Sequence, residues 1–510
     1  MSLTKATYSM VAGAPINVVD YGVVADGSTD DTTALQAAFD AVANNGCIVF
    51  PPSKTIKTTA AIVMPRSTYG VVLQGNGCTI RAYHNGDGVD LTSTNENYSR
   101  HKVYDLIIQG PNVSFPTNPT ELAGTSTGAA VRLGRNDTSN TVGGYLASFT
   151  NCTFQNFYQG VYLQAALLCE FSGGGAFFNQ YGIYIDGGQT NANTFRTFSV
   201  RQNRVIGVFS SGRTGGSLSN ATNNVFYACE IETNIPYDSS SGGYPSTFDA
   251  TKGFGVKLSN SYDFLFDGCY FENHNYSIVI ASSSDDNQFR NCRFDGGGGG
   301  SPVQVRPGGV LITGGACNNN IFDTCKLLSE SSTVANITID TPASCYYNQF
   351  LNNIGFVFDY ANLPVSTALT NNRKNQGTGL GGQPLGLIRM PYQGYIDNIQ
   401  EGTTPGTITG IGTSTATLNV FGVGEVQFSS GITGNTTITT ITGQRSGQFL
   451  VLRNYQTAYS VTLDASASGT GNIVLVGNTD VVFNQYGQQL VLYVTSGLGG
   501  TRCYEVGRNF

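Results

Sequence analysis

Between residues 149 and 350, apolar and polar positions alternate in short runs, and the runs themselves recur. Alternation with a period of two marks a β-strand that buries one face. Each recurrence carries a signature: Asn, then Phe two positions on, then Cys five positions on. It reads Asn224-Phe226-Cys229, Asn287-Phe289-Cys292 and Asn320-Phe322-Cys325, with partial copies at Phe149-Cys152, Asn193-Phe195, Phe266-Cys269 and Asn348-Phe350. A second apolar run lies between these copies, from Gly160-Val161-Tyr162-Leu163 and Gly182-Ile183-Tyr184-Ile185 through Gly255-Val256-Lys257-Leu258 to Gly309-Val310-Leu311-Ile312. The shortest repeats, 22 to 24 residues, predict one coil of a parallel β-helix solenoid, and the longer ones carry insertions at the turns.

The alternation also sorts the side chains. Cys229 and Ile231, Cys269 and Phe271, and Cys292 and Phe294 face the core, while Glu230 and Glu232, Tyr270 and Glu272, and Arg293 and Asp295 face out. The coil before supplies Ser199 and Arg201, and the coil after supplies Lys326. Three acids, Glu232, Glu272 and Asp295, thus fall at one point of three successive coils, six positions after the Phe. Coils stack about 4.8 Å apart, so the three carboxyls form a column. Like charges this close raise the pKa of one member, which keeps a general acid protonated near neutral pH. Adjacent coils suit the roughly 5 Å of retaining glycosidases, and alternate coils the roughly 6.5–9.5 Å of inverting ones. Glu232, Glu272 and Asp295 are therefore the candidate catalytic residues. Arg201, Glu230, Tyr270, His274 and Arg293 are candidate substrate contacts around them, with Lys257 on the second run and Tyr244 in the insertion 235–252. The competing interpretation is an ion-pair ladder in which Arg201, Arg293 and Lys326 offset the acids. The outward Tyr162, Tyr184 and Phe209 read as a stripe that packs between subunits, and the recurring Asn as a stack of amides at a turn.

The ends differ from the middle. Residues 30–45 place Leu35, Ala38, Phe39 and Val42 at helical spacing with Gly46 as a stop, predicting a helix that caps the solenoid. Residues 361–397 read as a linker. Residues 398–510 alternate in short even runs, predicting a small antiparallel β-sandwich. The expected domains are therefore 1–60 (N-terminal segment and cap), 61–360 (β-helix with the groove), 361–397 and 398–510.

Composition narrows the options. Only 12% of the 510 residues are charged, Gly numbers 65 and Trp is absent, which suits a solenoid of strands and tight turns. A net charge of −7 without a Lys/Arg cluster argues against nucleic acid, and no apolar run is long enough to insert in a membrane. Eleven Cys residues without a CxxC pair read as buried thiols of a protein made in a reducing cytoplasm; neither a metal nor a cofactor is expected.

Residues 16–36 add a resemblance. Val19-Asp20-Tyr21-Gly22, Asp26-Gly27 and Asp30-Asp31-Thr32 before Leu35-Gln36 are similar to the entry segment of pectate-lyase-like right-handed β-helix proteins and bacteriophage tailspikes, and Ala12-Gly13-Ala14-Pro15 precedes it as in a tailspike. The resemblance covers about 60 residues closely and the coils in kind. It implies that the Asp residues of this segment are structural. It further implies a homotrimeric phage tailspike, assembled in the host cytoplasm and carried on the virion tail among other tail or baseplate proteins. Such a spike would bind and depolymerise a bacterial capsule, exopolysaccharide or O-antigen, with a C-terminal domain for trimerisation or carbohydrate binding. Glycosidic hydrolysis is the expected chemistry. A polysaccharide lyase on a uronic-acid-containing glycan and a non-catalytic receptor-binding spike are the alternatives.

Overall fold

The computed structural model describes residues 14–354 apart from 94–98, 112–127, 135–142, 188, 213–220, 235–251, 296–308, 328–336 and 341–343; beyond these it describes 367–370, 395–396 and, in part, 408–509. Tyr244, nearly all of the insertion 235–252 and most of the expected linker lie outside the described residues.

The chain falls into two compact units, the first running to Gln349 with short later segments, the second carrying Thr378–Phe510. In the first, two large parallel sheets wind around one core, with a small two-stranded parallel sheet of Ala221–Thr222 and Ser261–Tyr262 beside them. In the broader sheet, Phe149, Phe171, Phe195, Phe226, Phe266, Phe289 and Phe322 are register partners from coil to coil. Their rings stack 4.5 to 4.9 Å apart, the coil spacing itself. Phe271 and Phe294 begin a second stack at 4.9 Å. The ten-stranded sheet buries Val161, Ile183, Val208, Val256 and Ile278 against them.

The recurring Cys and Asn acquire physical reasons. Four of the recurring thiols donate to the carbonyl of the Phe one coil earlier: Cys229 to Phe195 (3.3 Å), Cys269 to Phe226 (3.4 Å), Cys292 to Phe266 (3.4 Å) and Cys325 to Phe289 (3.3 Å). All eleven cysteines are free. The Asn193 and Asn224 amides bond to each other at 2.9 Å, as do those of Asn320 and Asn348, and Asn287 and Asn320 do so at 3.0 Å. Buried Phe264 interrupts this ladder, standing where the motif would place Asn. Between the Phe and the outward acids each coil bends through a left-handed residue, at Thr197, Ala228, Gly268, Asn291 and Thr324. The sheet thus has two limbs: strands Val225–Tyr227 and Leu265–Asp267 lie before the bend, strands Glu230–Glu232 and Tyr270–Glu272 after it.

At the N-terminus the helix spans Thr32–Ala41, shorter than the sequence pattern, and buries Leu35, Ala38 and Phe39. Asp31 accepts the backbone N–H groups of Val24 (2.8 Å) and Ala25 (3.0 Å), and Asp26 those of Ser28 and Thr29 (2.8 and 2.7 Å). These carboxylates hold the local chain path. The second unit corrects an expectation. Its six- and five-stranded sheets are mixed rather than antiparallel: Glu425–Phe428 pairs in parallel with Phe449–Asn454, whereas Phe449–Asn454 and Gln489–Gly497 are antiparallel. Leu418, Phe428, Ile438, Leu450, Phe483 and Leu492 form its core.

Candidate active site

The register aligns the acids. Arg201 pairs with Glu232, Glu232 with Glu272, and Glu272 with Asp295, all on the second limb. The parallel row two positions back runs Ser199, Glu230, Tyr270, Arg293 and Lys326. Two unit charges about 4.8 Å apart repel by roughly 1 to 3.5 kcal/mol for effective dielectric constants of about 80 to 20. Three acids in series therefore need compensation.

Its sources are unevenly placed. Arg201 Nε lies 2.9 Å from Glu232 Oε2, and its guanidinium is 3.7 Å from Glu230 Oε2. The first contact is an ion pair rather than an aligned hydrogen bond, since the Nε–H has no hydrogen-bond acceptor. Ser199 Oγ donates to Glu230 Oε2 at 2.8 Å. Glu272 is held by two donors, the Tyr270 hydroxyl at 2.7 Å and Asn273 Nδ2 at 3.3 Å. The Glu232 side chain is only 17% exposed. Burial pushes its carboxyl above the usual carboxylate range; Arg201 pulls it back, and Glu230 and Glu272 add to the rise. Burial and the bond to Glu272 push the Tyr270 phenol well up, so it stays a donor. Arg293 stacks over the Tyr270 ring, 5.6 Å from its centroid.

The structure thus brings together Glu232, Glu272, Asp295, Arg201, Glu230, Tyr270 and Arg293. It does not bring two others. His274 is buried at 1% exposure. Asn273 takes a left-handed conformation (φ 57°), which breaks the alternation and turns the next side chain inward. There His274 Nε2 meets Asn234 Nδ2 at 3.2 Å, ending a second amide ladder of Asn179, Asn203 and Asn234. Burial lowers its pKa to about 3. Lys257 sits on the other sheet, beside Phe209 and Phe254. The aromatic stripe is also corrected. Tyr162 is 1% exposed, capped by Arg132 at 4.2 Å, and its hydroxyl donates to Asp186 at 2.8 Å.

Sequence reasoning missed Asn273 and Thr233. Each directly follows an acid in a left-handed turn, and each donates to it, Thr233 Oγ1 to Glu232 Oε1 at 3.4 Å. The available signal was a short polar residue at that one position in consecutive coils. Among the described residues no cluster of His, Cys, Asp or Glu has the makings of a metal site, and no helix is long and apolar enough to cross a membrane.

Comparison with known proteins agrees on the fold. Residues 136–327 match the family described as the right-handed β-helix region. The Mu-like prophage FluMu defective tail fibre protein of Haemophilus influenzae is 25% identical over 278 residues, covering 54% of this chain and 38% of that protein. Probable rhamnogalacturonase A of Aspergillus niger is 38% identical over 73 residues, covering 14% and 16%. The chain therefore spans well under half the length of either relative. Among solved structures, the A-module of the mannuronan C-5 epimerase AlgE6 of Azotobacter vinelandii superposes with a TM-score of 0.51 at 13% identity, over 71% of this chain and 100% of the module.

Proposed function

Because this chain carries a right-handed β-helix region, we propose that it is a phage tail protein that binds a bacterial surface polysaccharide and hydrolyses its glycosidic bonds at the Glu232–Glu272–Asp295 column. The tail fibre relative supports the setting, and the rhamnogalacturonase supports chemistry on a carbohydrate polymer. The observation that carries the reading is the difference between neighbouring carboxyls. Glu232 is drawn toward its protonated form by burial, and Glu272 accepts two hydrogen bonds that a carboxylate needs. Glu232 then donates the proton to the leaving oxygen. Glu272 acts as the base or nucleophile, and Asp295 extends the negative field that stabilises an oxocarbenium-like transition state.

The lyase alternative needs a proton acceptor beside the column. Tyr270 is locked as a donor to Glu272, His274 is buried away from the column, and Lys257 is on the other sheet. Hydrolysis is thus the better-supported chemistry. The proposal includes assembly of three chains through the partly buried apolar face of Tyr181, Phe209 and Leu311 on the second sheet. Light scattering should then give three times 54.0 kDa; a monomer at micromolar concentration rejects that part.

The test of the chemistry is digestion of purified surface polysaccharides from candidate hosts, followed by mass analysis. Hydrolysis gives fragments that each gain one water and absorb no ultraviolet light. Unsaturated, absorbing ends would assign a lyase, and binding without fragments a receptor spike. The rate should fall as pH rises through the raised Glu232 pKa, because the proton donor is then lost.

A further inference from the structure

Arg293 and Lys326 are register partners on adjacent coils, both at outward, exposed positions. Adjacent like charges on a sheet oppose folding unless a neighbour compensates. Four other cations on the solenoid have that neighbour. Arg201 contacts Glu232 and Glu230, Arg66 contacts Asp90, Arg132 contacts Asp87, and Arg290 stands in register between Asp267 and Asp323. Arg293 and Lys326 form no ion pair among the described residues. What steadies Arg293 is the face of Tyr270, itself anchored to Glu272. A ring face orients a guanidinium without neutralising it.

Charge is therefore ordered along the limb. Arg201 at one end is spent on two glutamates; three acids follow; the other end presents two uncompensated cations, Arg293 one coil and Lys326 two coils from the central Glu272, roughly 5 and 10 Å along the stack. We infer that Arg293 and Lys326 form an anion subsite for the polysaccharide, taking a carboxylate or phosphate substituent of a sugar displaced along the groove from the cleaved bond. This rests on the reading of the acid column as the active site. The guanidinium offers a planar pair of donors to a carboxylate or phosphate, and the lysine adds a point charge. The three acids repel the same anion, so the subsite also fixes the direction in which the polymer lies. The substrate class is accordingly an acidic polysaccharide rather than a neutral one.

The test uses the full chain and three monosaccharide probes in NMR or calorimetric titrations: methyl glucuronide, glucose 6-phosphate and neutral methyl glucoside. Wild type is expected to bind at least one anionic probe about tenfold or more tighter than the glucoside, an advantage that added salt erodes. Preference between the two anions identifies the substituent. The double variant Arg293→Gln/Lys326→Gln should lose that advantage while its melting temperature stays level or rises, since a like-charge pair has been removed. Lys326→Gln alone should lose part of it. Asp267→Asn, on the limb before the bend, should retain anion binding, and a failure of the column as catalyst reads out separately, in cleavage. Equal affinity for charged and neutral probes, or a double variant that binds like wild type, overturns the subsite.

Discussion

Two rows of outward side chains run down the same parallel sheet, one on each side of its bend. One position after the stacked Phe, the row reads Arg196, Tyr227, Asp267, Arg290 and Asp323. Six positions after the same Phe it reads Arg201, Glu232, Glu272 and Asp295. Backbone, coil spacing and supporting core are shared. The first row intersperses its charges: Arg196 lies 5.1 Å from the centre of the Tyr227 ring, Asp267 takes the Asn291 amide at 2.9 Å, and Arg290 separates the two aspartates. This is what an unconstrained surface ladder looks like. The second row gathers three acids, shields one from water and puts its cation at the end. The solenoid does not force that arrangement, because the same coils avoid it a few residues away. The difference is the strongest physical ground for assigning the second row a chemical role.

The comparison can be broken from beneath. Phe266 lies in the ring stack that supports both rows, 4.5 Å from Phe226 and 4.9 Å from Phe289. Phe266→Ala should destabilise the unit by about 3–5 kcal/mol, read by thermal or denaturant unfolding, and should weaken both rows together. A loss under about 1 kcal/mol would mean that the stack is not what aligns them.

A smaller effect comes from the His that ends the amide ladder. Folded His274 titrates at about 3 against an ordinary 6.5, so as pH falls below 6.5 the unfolded chain takes up a proton that the folded one refuses. Stability is lost toward acid, by at most about 1.4 kcal/mol for each pH unit. His274→Asn continues the Asn179, Asn203 and Asn234 series and should remove that share of acid sensitivity, while buried His101, lowered to about 4, keeps its own. Melting curves at pH 7 and pH 5 should draw closer together than in wild type; unchanged spacing contradicts the buried, neutral imidazole. Smallest is the surface row itself. Asp323→Asn should shift stability by no more than about 0.5 kcal/mol and leave polysaccharide cleavage unchanged.

The sequence pattern made the solenoid legible because each coil repeats the same packing demand. Phe, Cys and Asn recur wherever a ring, a thiol donor and an amide must meet the coil above. The alignment of Glu232, Glu272 and Asp295 followed from counting off those Phe residues. What escaped was governed by the bends. A left-handed Asn273 inverts the alternation, so His274 reads as outward from sequence and lies inward in space. Tyr162 occupies an outward position, yet Arg132 and Asp186 cover it, and both come from other coils. The second amide ladder keeps the spacing of the Phe ladder, eight positions on, and escapes a search for recurring Asn because its last member is a His. In the second unit, short alternating runs announce strands and carry no record of their direction, so mixed sheets were read as antiparallel.

The central claim is that one row is chemical and its neighbour is not. The direct measurement is an isosteric exchange in both rows, assayed side by side on one cleaved polysaccharide, with fragment mass as readout. Glu232→Gln and Glu272→Gln, with Asp267→Asn as the counterpart across the bend, each remove one charge and keep the shape. The account predicts a fall of about 10²–10⁴-fold or more in cleavage rate for at least one of the two glutamate variants, with polysaccharide binding retained, and near wild-type cleavage for Asp267→Asn. If Glu232→Gln, Glu272→Gln and Asp295→Asn all cleave as fast as wild type, the acid column is a surface ladder like its neighbour and the assignment is wrong.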